Sequence, residues 1–279
     1  MSEQSPVRGF ATVAAQAKTL NRREAQVVRM IARVPYLNSV PFFRGLPLGT
    51  PYGLVDCMPR ELGARAAAGE IVAGPLPVID VFRLEQTFEP LGRVGIAVRG
   101  RAHSALLFAR QPIRQLDGAV IAVTEESSTT ACLLRLLLEQ RYRVIPAAYE
   151  RGQRPDAEAL LLIGDEALRF KYTNTRYPFE IDVGFEWWLW QHLPFVFAVW
   201  AVRKDAAAQE KRQIEAALMR SLTMNLGELG VVAQEASQRL GLPAHELEQY
   251  LASFVYRLGP SEGEGMQRFR ELVDEHHLL

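Results

Sequence analysis

From Val28 onward, short apolar runs alternate with segments of helical periodicity, and polar, Gly or Pro residues separate them. This alternation predicts β and α units in turn, and therefore a largely parallel sheet. The predicted strands are residues 28–34, 53–58, 71–73, 94–98, 104–109, 119–123, 159–163 and 195–202. The predicted helices are residues 39–45, 59–68, 131–140, 206–226, 229–240, 243–254 and 265–278. We interpret residues 1–27 as an extension that precedes the fold.

The order of these elements predicts two lobes. The polar segment 111–117, which contains a proline, has the composition of a hinge. An α/β unit, a hinge, a second α/β unit, a returning strand and a helical tail are typical of a two-lobed ligand-binding architecture. The expected division is residues 28–109 and 203–279 for a discontinuous first lobe, and residues 110–202 for a second lobe inserted into it.

Composition excludes several classes of protein. The chain has 279 residues, 48% of them hydrophobic and 23% charged, which is a globular balance with enough apolar material for two cores. Lys plus Arg number 32 and Asp plus Glu number 32, so no net field favours nucleic acid as a partner. No segment approaches the roughly 20 apolar residues that a membrane helix needs. Two distant cysteines, Cys57 and Cys132, fit a reducing cytoplasm.

Polar side chains follow three predicted strands, at the sheet edge where open α/β folds bind ligands. They are Asn38 and Ser39 after the first strand, Ser127, Thr129 and Thr130 before the helix at 131–140, and Asp165 after the strand at 159–163. Hydroxyl groups and the free backbone N–H groups at the N-terminus of a helix can bind a carboxylate. The same side chains could instead cap helices, each worth about 1 kcal/mol. The sequence leaves both roles open.

Two further segments are candidates for a cleft. Pro75 and Leu76 lie in a run that ends at Pro77, and two prolines there predict a tight loop instead of continued strand pairing. Residues 187–200 are rich in aromatic side chains, which indicates core packing or a wall against a flat ring, and they include His192. No zinc spacing, glycine-rich phosphate loop or nucleophile elbow occurs, so neither a metal nor a cofactor is expected.

Five motifs together resemble one known family. They are Tyr36-Leu37-Asn38-Ser39-Val40-Pro41, residues 69–75, Ser127-Ser128-Thr129-Thr130, residues 163–168, and Leu193-Pro194-Phe195-Val196-Phe197-Ala198-Val199-Trp200. From about Val28 to the end, the chain resembles the chorismate dehydratases of the futalosine route to menaquinone. The resemblance implies an α/β, two-lobed, periplasmic-binding-protein-like (type II) fold with a helical C-terminal segment, used in the cytoplasm. It also implies elimination of water from chorismate to give 3-[(1-carboxyvinyl)oxy]benzoate, without a cofactor.

The resemblance also assigns site residues. The family's Tyr-Leu-Asn asparagine matches Asn38 and its strand serine matches Ser104, so these two are the expected catalytic residues. The expected substrate-binding residues are Ser39, Pro75, Leu76, Ser127, Thr129, Thr130, Asp165 and His192. The chain departs from the usual family pattern at Pro77, at Glu125 and Glu126, and at Gln191 and His192. These departures fall near the expected cleft and leave the exact substrate open.

Two other functions remain open at this point. One is a non-catalytic protein of the same fold that binds or senses a small carboxylate. The other is the sister enzyme of the pathway, which makes 1,4-dihydroxy-6-naphthoate, and His192 keeps that alternative open. In each case the expected partner is a small carboxylate-bearing molecule, and the sequence does not predict an oligomeric state.

Overall fold

The computed structural model describes residues 28–152 and 156–279, so the extension expected at residues 1–27 lies outside the described residues. The strands are β1 Arg29–Arg33, β2 Tyr52–Asp56, β3 Ala73–Pro77, β4 Phe88–Val98, β5 Ala105–Ala109, β6 Val120–Val123, β7 Ala148–Arg151, β8 Ala159–Ile163, β9 Phe179–Asp182, β10 Phe195–Arg203 and β11 Phe254–Arg257. The helices are α1 Val40–Phe43, α2 Pro59–Ala67, α3 Val78–Arg83, α4 Thr129–Leu136, α5 Gly164–Thr173, α6 Val183–Gln191, α7 Ala208–Leu226, α8 Leu229–Leu240, α9 Ala244–Ala252 and α10 Pro260–Glu275.

The strands form two sheets, one in each lobe. The first has the order β11-β4-β10-β3-β1-β2 and the second the order β7-β6-β8-β5-β9. Strands β1, β2 and β3 are parallel, as are β6, β7 and β8, but β10 and β5 run antiparallel to their neighbours. Both sheets are therefore mixed, unlike the largely parallel sheet predicted, because each contains a strand that arrives from the other lobe in the opposite direction.

The chain crosses between the lobes at residues 99–104 and 192–194. Strand β5 belongs to the second sheet and β10 to the first, so the boundaries predicted after residues 109 and 202 assign both strands to the opposite lobes. The predicted hinge at 111–117 joins β5 to β6 within the second sheet and does not connect the lobes. An apolar run identifies a strand but not its partner, which explains the difference.

Strand β3 replaces the tight loop predicted at residues 74–77. It pairs with β10 along its whole length, with Pro75 opposite Trp200 and Pro77 opposite Ala198. Alternate residues of a strand direct their N–H groups to opposite sides, so both missing donors fall on the same side. The ladder to β10 is maintained through Gly74 and Leu76, and β1 reaches β3 only at Ala73.

Aromatic side chains form much of the core around β10, where α6 of the second lobe packs against the first lobe. Trp187 of α6 and Trp200 of β10 are fully buried. The ring of Trp187 packs edge-on against Phe195 at 5.3 Å between centroids, and Phe195 packs against Phe269 of α10 at 5.0 Å. Core packing is thus the main role of residues 187–200.

In the described ranges no helix combines the length and the apolar character needed to cross a membrane.

Candidate active site

A hollow of about 630 Å³, partly open to solvent, lies where the two lobes meet. The first lobe contributes Val34, Tyr36, Asn38, Ser39, Pro59, Pro75, Pro77, Ile96, Phe197, Ala198 and Phe254. The second lobe and the crossing that leads into it contribute Ala102, Ser104, Ala105, Ser127, Ser128, Thr129, Thr130, Ile163 and Gly164. All of these side chains are neutral. The hollow therefore offers hydrogen bonds and apolar walls, but no formal charge, to a guest.

Asn38 reaches the hollow from a short 3₁₀ turn, Leu37–Ser39, that follows β1 and leads into α1. Neither Asn38 nor Ser39 caps a helix with its side chain, so the capping alternative is not the one adopted. The Ser39 hydroxyl is 3.5 Å from Asn38 Oδ1. Within the described residues the Asn38 side-chain nitrogen donates no hydrogen bond, which leaves it available to a ligand oxygen.

The start of α4 faces the hollow from the second lobe. Ser127 Oγ accepts a hydrogen bond from Ala131 N at 3.1 Å, so this side chain does act as a cap. Thr129 Oγ1 accepts from Ile79 N of the first lobe at 3.3 Å and keeps its own proton to donate. The backbone N–H groups of Thr129 and Thr130 meet no acceptor among the described residues. Unpaired N–H groups at a helix start attract an anion.

Ser104 lies on the crossing that leads into β5, and its side chain is buried. Its Oγ is 2.8 Å from the hydroxyl of Tyr250, a residue of α9 that sequence reasoning did not single out. Burial raises the pKa of Tyr250 far above its ordinary value, so its hydroxyl stays protonated. Tyr250 therefore fixes the position and orientation of the Ser104 hydroxyl at the wall of the hollow.

Hydrogen bonds across the cleft hold the lobes together around the hollow. Tyr36 donates its hydroxyl proton to the carboxylate of Glu126, and Arg60 N donates to the backbone oxygen of Glu126 at 3.0 Å. Burial and Glu126 both raise the pKa of Tyr36, so its hydroxyl remains a donor. Leu37 N donates to Asp165 Oδ1 at 2.8 Å. The structure is therefore in a closed arrangement.

Most of the site residues expected from sequence come together in this hollow. Those that line it are Asn38, Ser39, Pro75, Ser104, Ser127, Thr129 and Thr130. Leu76 does not, because alternate side chains of β3 point to opposite faces and Leu76 is fully buried in the core. Asp165 lies behind the wall, where it pairs with Arg239 at 2.7 Å. His192 is exposed at the end of α6 and does not line the hollow.

The departures from the family pattern fall in three different places. Pro77 lines the hollow. Glu126 accepts a hydrogen bond from the Tyr36 hydroxyl and does not line the hollow beside the start of α4. Gln191 accepts from Arg268 at 3.0 Å, outside the hollow. Sequence reasoning missed Ser128, Phe197 and Phe254 as wall residues, although the first two lie inside quoted motifs. Residues 28–152 and 156–279 contain no group of three His, Cys, Asp or Glu side chains that could hold a metal ion.

Comparison with known protein families shows which family the chain belongs to. The model of a family described as menaquinone biosynthesis matches residues 30–275. The chain belongs to this menaquinone biosynthesis family. A curated relative in that context, the chorismate dehydratase of Thermus thermophilus, is 30% identical over 258 residues, which cover 85% of this chain and 92% of the relative.

Solved structures share the fold of this member of the menaquinone biosynthesis family. A structural-genomics target protein from Archaeoglobus fulgidus matches with a TM-score of 0.73 at 18% identity, covering 90% of this chain and 98% of that one. The periplasmic aliphatic sulphonate-binding protein of Escherichia coli matches with a TM-score of 0.60 at 14% identity, covering 91% and 88%. The predicted two-lobed, periplasmic-binding-protein-like fold is confirmed.

Proposed function

We propose that this chain is a chorismate dehydratase, which removes water from chorismate to give 3-[(1-carboxyvinyl)oxy]benzoate. The observation that carries the proposal is the closed, uncharged hollow in which polar groups of both lobes face each other, Asn38 on one side and Thr129 and Thr130 on the other. The family membership and the named activity of the Thermus thermophilus relative support it. The substrate carries two carboxylates, one for each group of donors.

The reaction converts a cyclohexadiene into a benzene ring. The proton leaves the ring carbon that carries the enol ether, its electron pair forms the new double bond, and the C–O bond to the neighbouring hydroxyl breaks. Proton and hydroxide together leave as water, and aromatisation supplies the driving force. The protein must therefore orient the substrate and stabilise its charge, which needs positioned dipoles more than a cofactor.

The base is the substrate's own enolpyruvyl carboxylate in this proposal. The residues lining the hollow include no carboxylate, histidine or lysine that could take the proton. A carboxylate transferred from water into a neutral, partly apolar hollow becomes more basic, because burial disfavours its charged form. Asn38 and Ser104 orient this carboxylate, while Ser127, Thr129 and Thr130 hold the ring carboxylate at the start of α4.

The remaining assignments follow from position. Asp165 acts through Leu37 and does not touch substrate, and Pro75 supplies an apolar wall. His192 lies outside the hollow, so no observation favours the sister naphthoate synthase that this residue kept open. We place the protein in the cytoplasm, supported by Cys57 and Cys132, which are both free thiols, and cell fractionation tests that placement.

Incubation of the purified protein with chorismate tests the proposal. We expect a product with an aromatic ultraviolet spectrum and a mass lower than that of chorismate by one water. Saturable binding of chorismate without any product would favour the binding or sensor protein instead. Asn38→Ala should lower kcat by about a hundredfold or more, the loss typical of a removed orienting donor, while circular dichroism and Tm stay unchanged. Near-normal turnover of that variant would remove Asn38 from the mechanism.

A further inference from the structure

A second pocket lies beside the candidate active site, between α3 of the first lobe and α4 of the second. It encloses about 860 Å³, part of it open to solvent, and Ser128 lines both this pocket and the hollow described above. Four arginines surround it, Arg60 and Arg83 from the first lobe and Arg135 and Arg151 from the second. We call it the arginine pocket. Such a concentration of positive charge is notable in a chain whose formal net charge is zero.

Two of the four guanidinium groups have a carboxylate partner. Arg83 pairs with Asp80 at 3.1 Å, and Arg135 pairs with Glu139 at 2.8 Å. Asp80 is the one carboxylate among the residues that line the pocket, and its other oxygen already accepts from Ser128 at 3.2 Å. The protein's own acidic groups therefore compensate only part of the charge.

The other two guanidinium groups come from opposite lobes and lack such a partner. Within the described residues the Arg60 side chain makes no hydrogen bond or ion pair, and Arg151 donates only to the backbone oxygens of Thr124 and Ser127, at 3.2 and 2.7 Å. Burial lowers the pKa of Arg151 and the positive charge of Arg60 lowers it further, whereas Glu125 opposes them. Arg60 and Arg151 are thus close enough to repel each other across the lobe junction.

We propose that the arginine pocket binds a multiply charged oxyanion of the phosphate class, and that this anion favours the closed arrangement of the lobes. A guanidinium group presents a planar fork of donors that matches oxyanions. An anion between Arg60 and Arg151 replaces their repulsion by two attractions, which exist only when the lobes are together. A ligand that binds one arrangement more tightly shifts the equilibrium towards it.

The same arginine connects this pocket to the candidate active site. Arg151 holds the backbone of Thr124 and Ser127, and Ser127 lines the hollow just before α4. An oxyanion held by Arg151 therefore also fixes the segment that presents the N–H groups of α4. We expect the bound anion to raise turnover by fixing this segment, and only that expectation rests on the proposed function, because the binding of the anion does not depend on any reaction.

Calorimetry with inorganic phosphate, at an ionic strength held constant with chloride, tests the site. We expect wild-type protein to bind phosphate, Arg60→Gln to bind it at least about fivefold more weakly, and Arg60→Lys to recover part of the loss. Arg65→Gln is the matched control, because Arg65 lies on the same helix, its contact with Glu70 is a long 3.9 Å, and it does not line the pocket. Equal phosphate affinity in wild type and Arg60→Gln would overturn the proposal.

A second measurement separates the two sites. Isophthalate, a planar dicarboxylate that cannot react, serves as the probe for the main hollow, and phosphate should tighten its binding in wild type but not in Arg60→Gln. Simple competition between phosphate and isophthalate would place phosphate in the main hollow and overturn the proposal. A crystal grown with selenate, located by its anomalous signal, should show the ion between Arg60 and Arg151. If the protein does not dehydrate chorismate, the proposed function is wrong, but the expected results for anion binding do not change.

Discussion

The backbone N–H of Leu37, in the first lobe, donates to Oδ1 of Asp165, in the second lobe, at 2.8 Å. Leu37 directly precedes Asn38, and the other oxygen of Asp165 accepts from Arg239 of α8 at 2.7 Å. Asp165 is buried, so these two donors replace the hydrogen bonds that water would otherwise give its carboxylate. The same hydrogen bond therefore joins the two lobes and anchors the turn that carries Asn38.

Replacing Asp165 tests this coupling. Asp165→Ala removes both bonds, and we expect kcat to fall by about tenfold or more because the turn that carries Asn38 loses its anchor. Asp165→Asn keeps an oxygen that can accept from Leu37 N and should lose less. Steady-state kinetics with chorismate, alongside Tm, provides the comparison. If both variants lose kcat equally, the ion pair with Arg239 matters and the bond to Leu37 does not.

Tyr250 should act on the reaction through Ser104. Its hydroxyl lies 2.8 Å from Ser104 Oγ, and loss of one buried hydrogen bond is worth about 1 kcal/mol, or about fivefold in rate. We expect Tyr250→Phe to lower kcat by about that factor, and Ser104→Ala to lower it more. In the double variant the two losses should not add, because Tyr250 works only on the serine hydroxyl. Full additivity would give Tyr250 a separate role.

Gly164 should be required for closure. A Cβ atom there would lie 2.8 Å from the ring of Tyr36, and Gly164 has φ of +60°. We expect Gly164→Ala to hold the lobes apart and raise KM, with a larger radius of gyration by X-ray scattering. Gly118→Ala is the matched control, since Gly118 has φ of +69° but nothing within 4 Å of its Cβ position.

Both alanine variants should lose about 1 kcal/mol of stability from the left-handed backbone. Only Gly164→Ala should also change KM and shape. An equal rise in KM in the two variants would show that backbone strain, and not contact with Tyr36, causes the effect.

The contribution of Asp80 to the free energy of unfolding should depend on pH. Burial raises the pKa of this carboxyl, with Arg83 and Ser128 opposing it. A raised folded-state pKa means that the group's contribution is fully present below the ordinary carboxyl pKa of about 3.9 and is lost as pH rises through the folded-state value. The free energy of unfolding of wild type minus that of Asp80→Asn should therefore decrease over this range and level off above it.

Asp56 provides the control of opposite sign for this measurement. Arg33 lowers the pKa of Asp56, so the difference between wild type and Asp56→Asn should instead grow as pH rises through the folded-state pKa and level off above about 3.9. Urea unfolding at a series of pH values gives both differences. A flat profile for Asp80→Asn would show that Asp80 is not desolvated in solution.

Several elements were predictable because their pattern is local. The strand predicted at 159–163 is β8 residue for residue, and the helix predicted at 229–240 is α8. By contrast, β7, β9 and β11 were not predicted. All three are edge strands of only four residues, which is too short for a distinct period-two pattern.

The sequence by itself determined that strand ends carry polar residues and that α and β units alternate, since both features are read from neighbouring residues. Only the tertiary structure decided that β5 belongs to the second sheet and β10 to the first, and that the strand containing Pro75 continues through the prolines. The contact between Tyr250 and Ser104 was likewise decided by the tertiary structure. Those outcomes depend on contacts between residues far apart along the chain. Hydrophobic periodicity indicates which face of a helix or strand is buried, but it does not indicate which other element packs against that face.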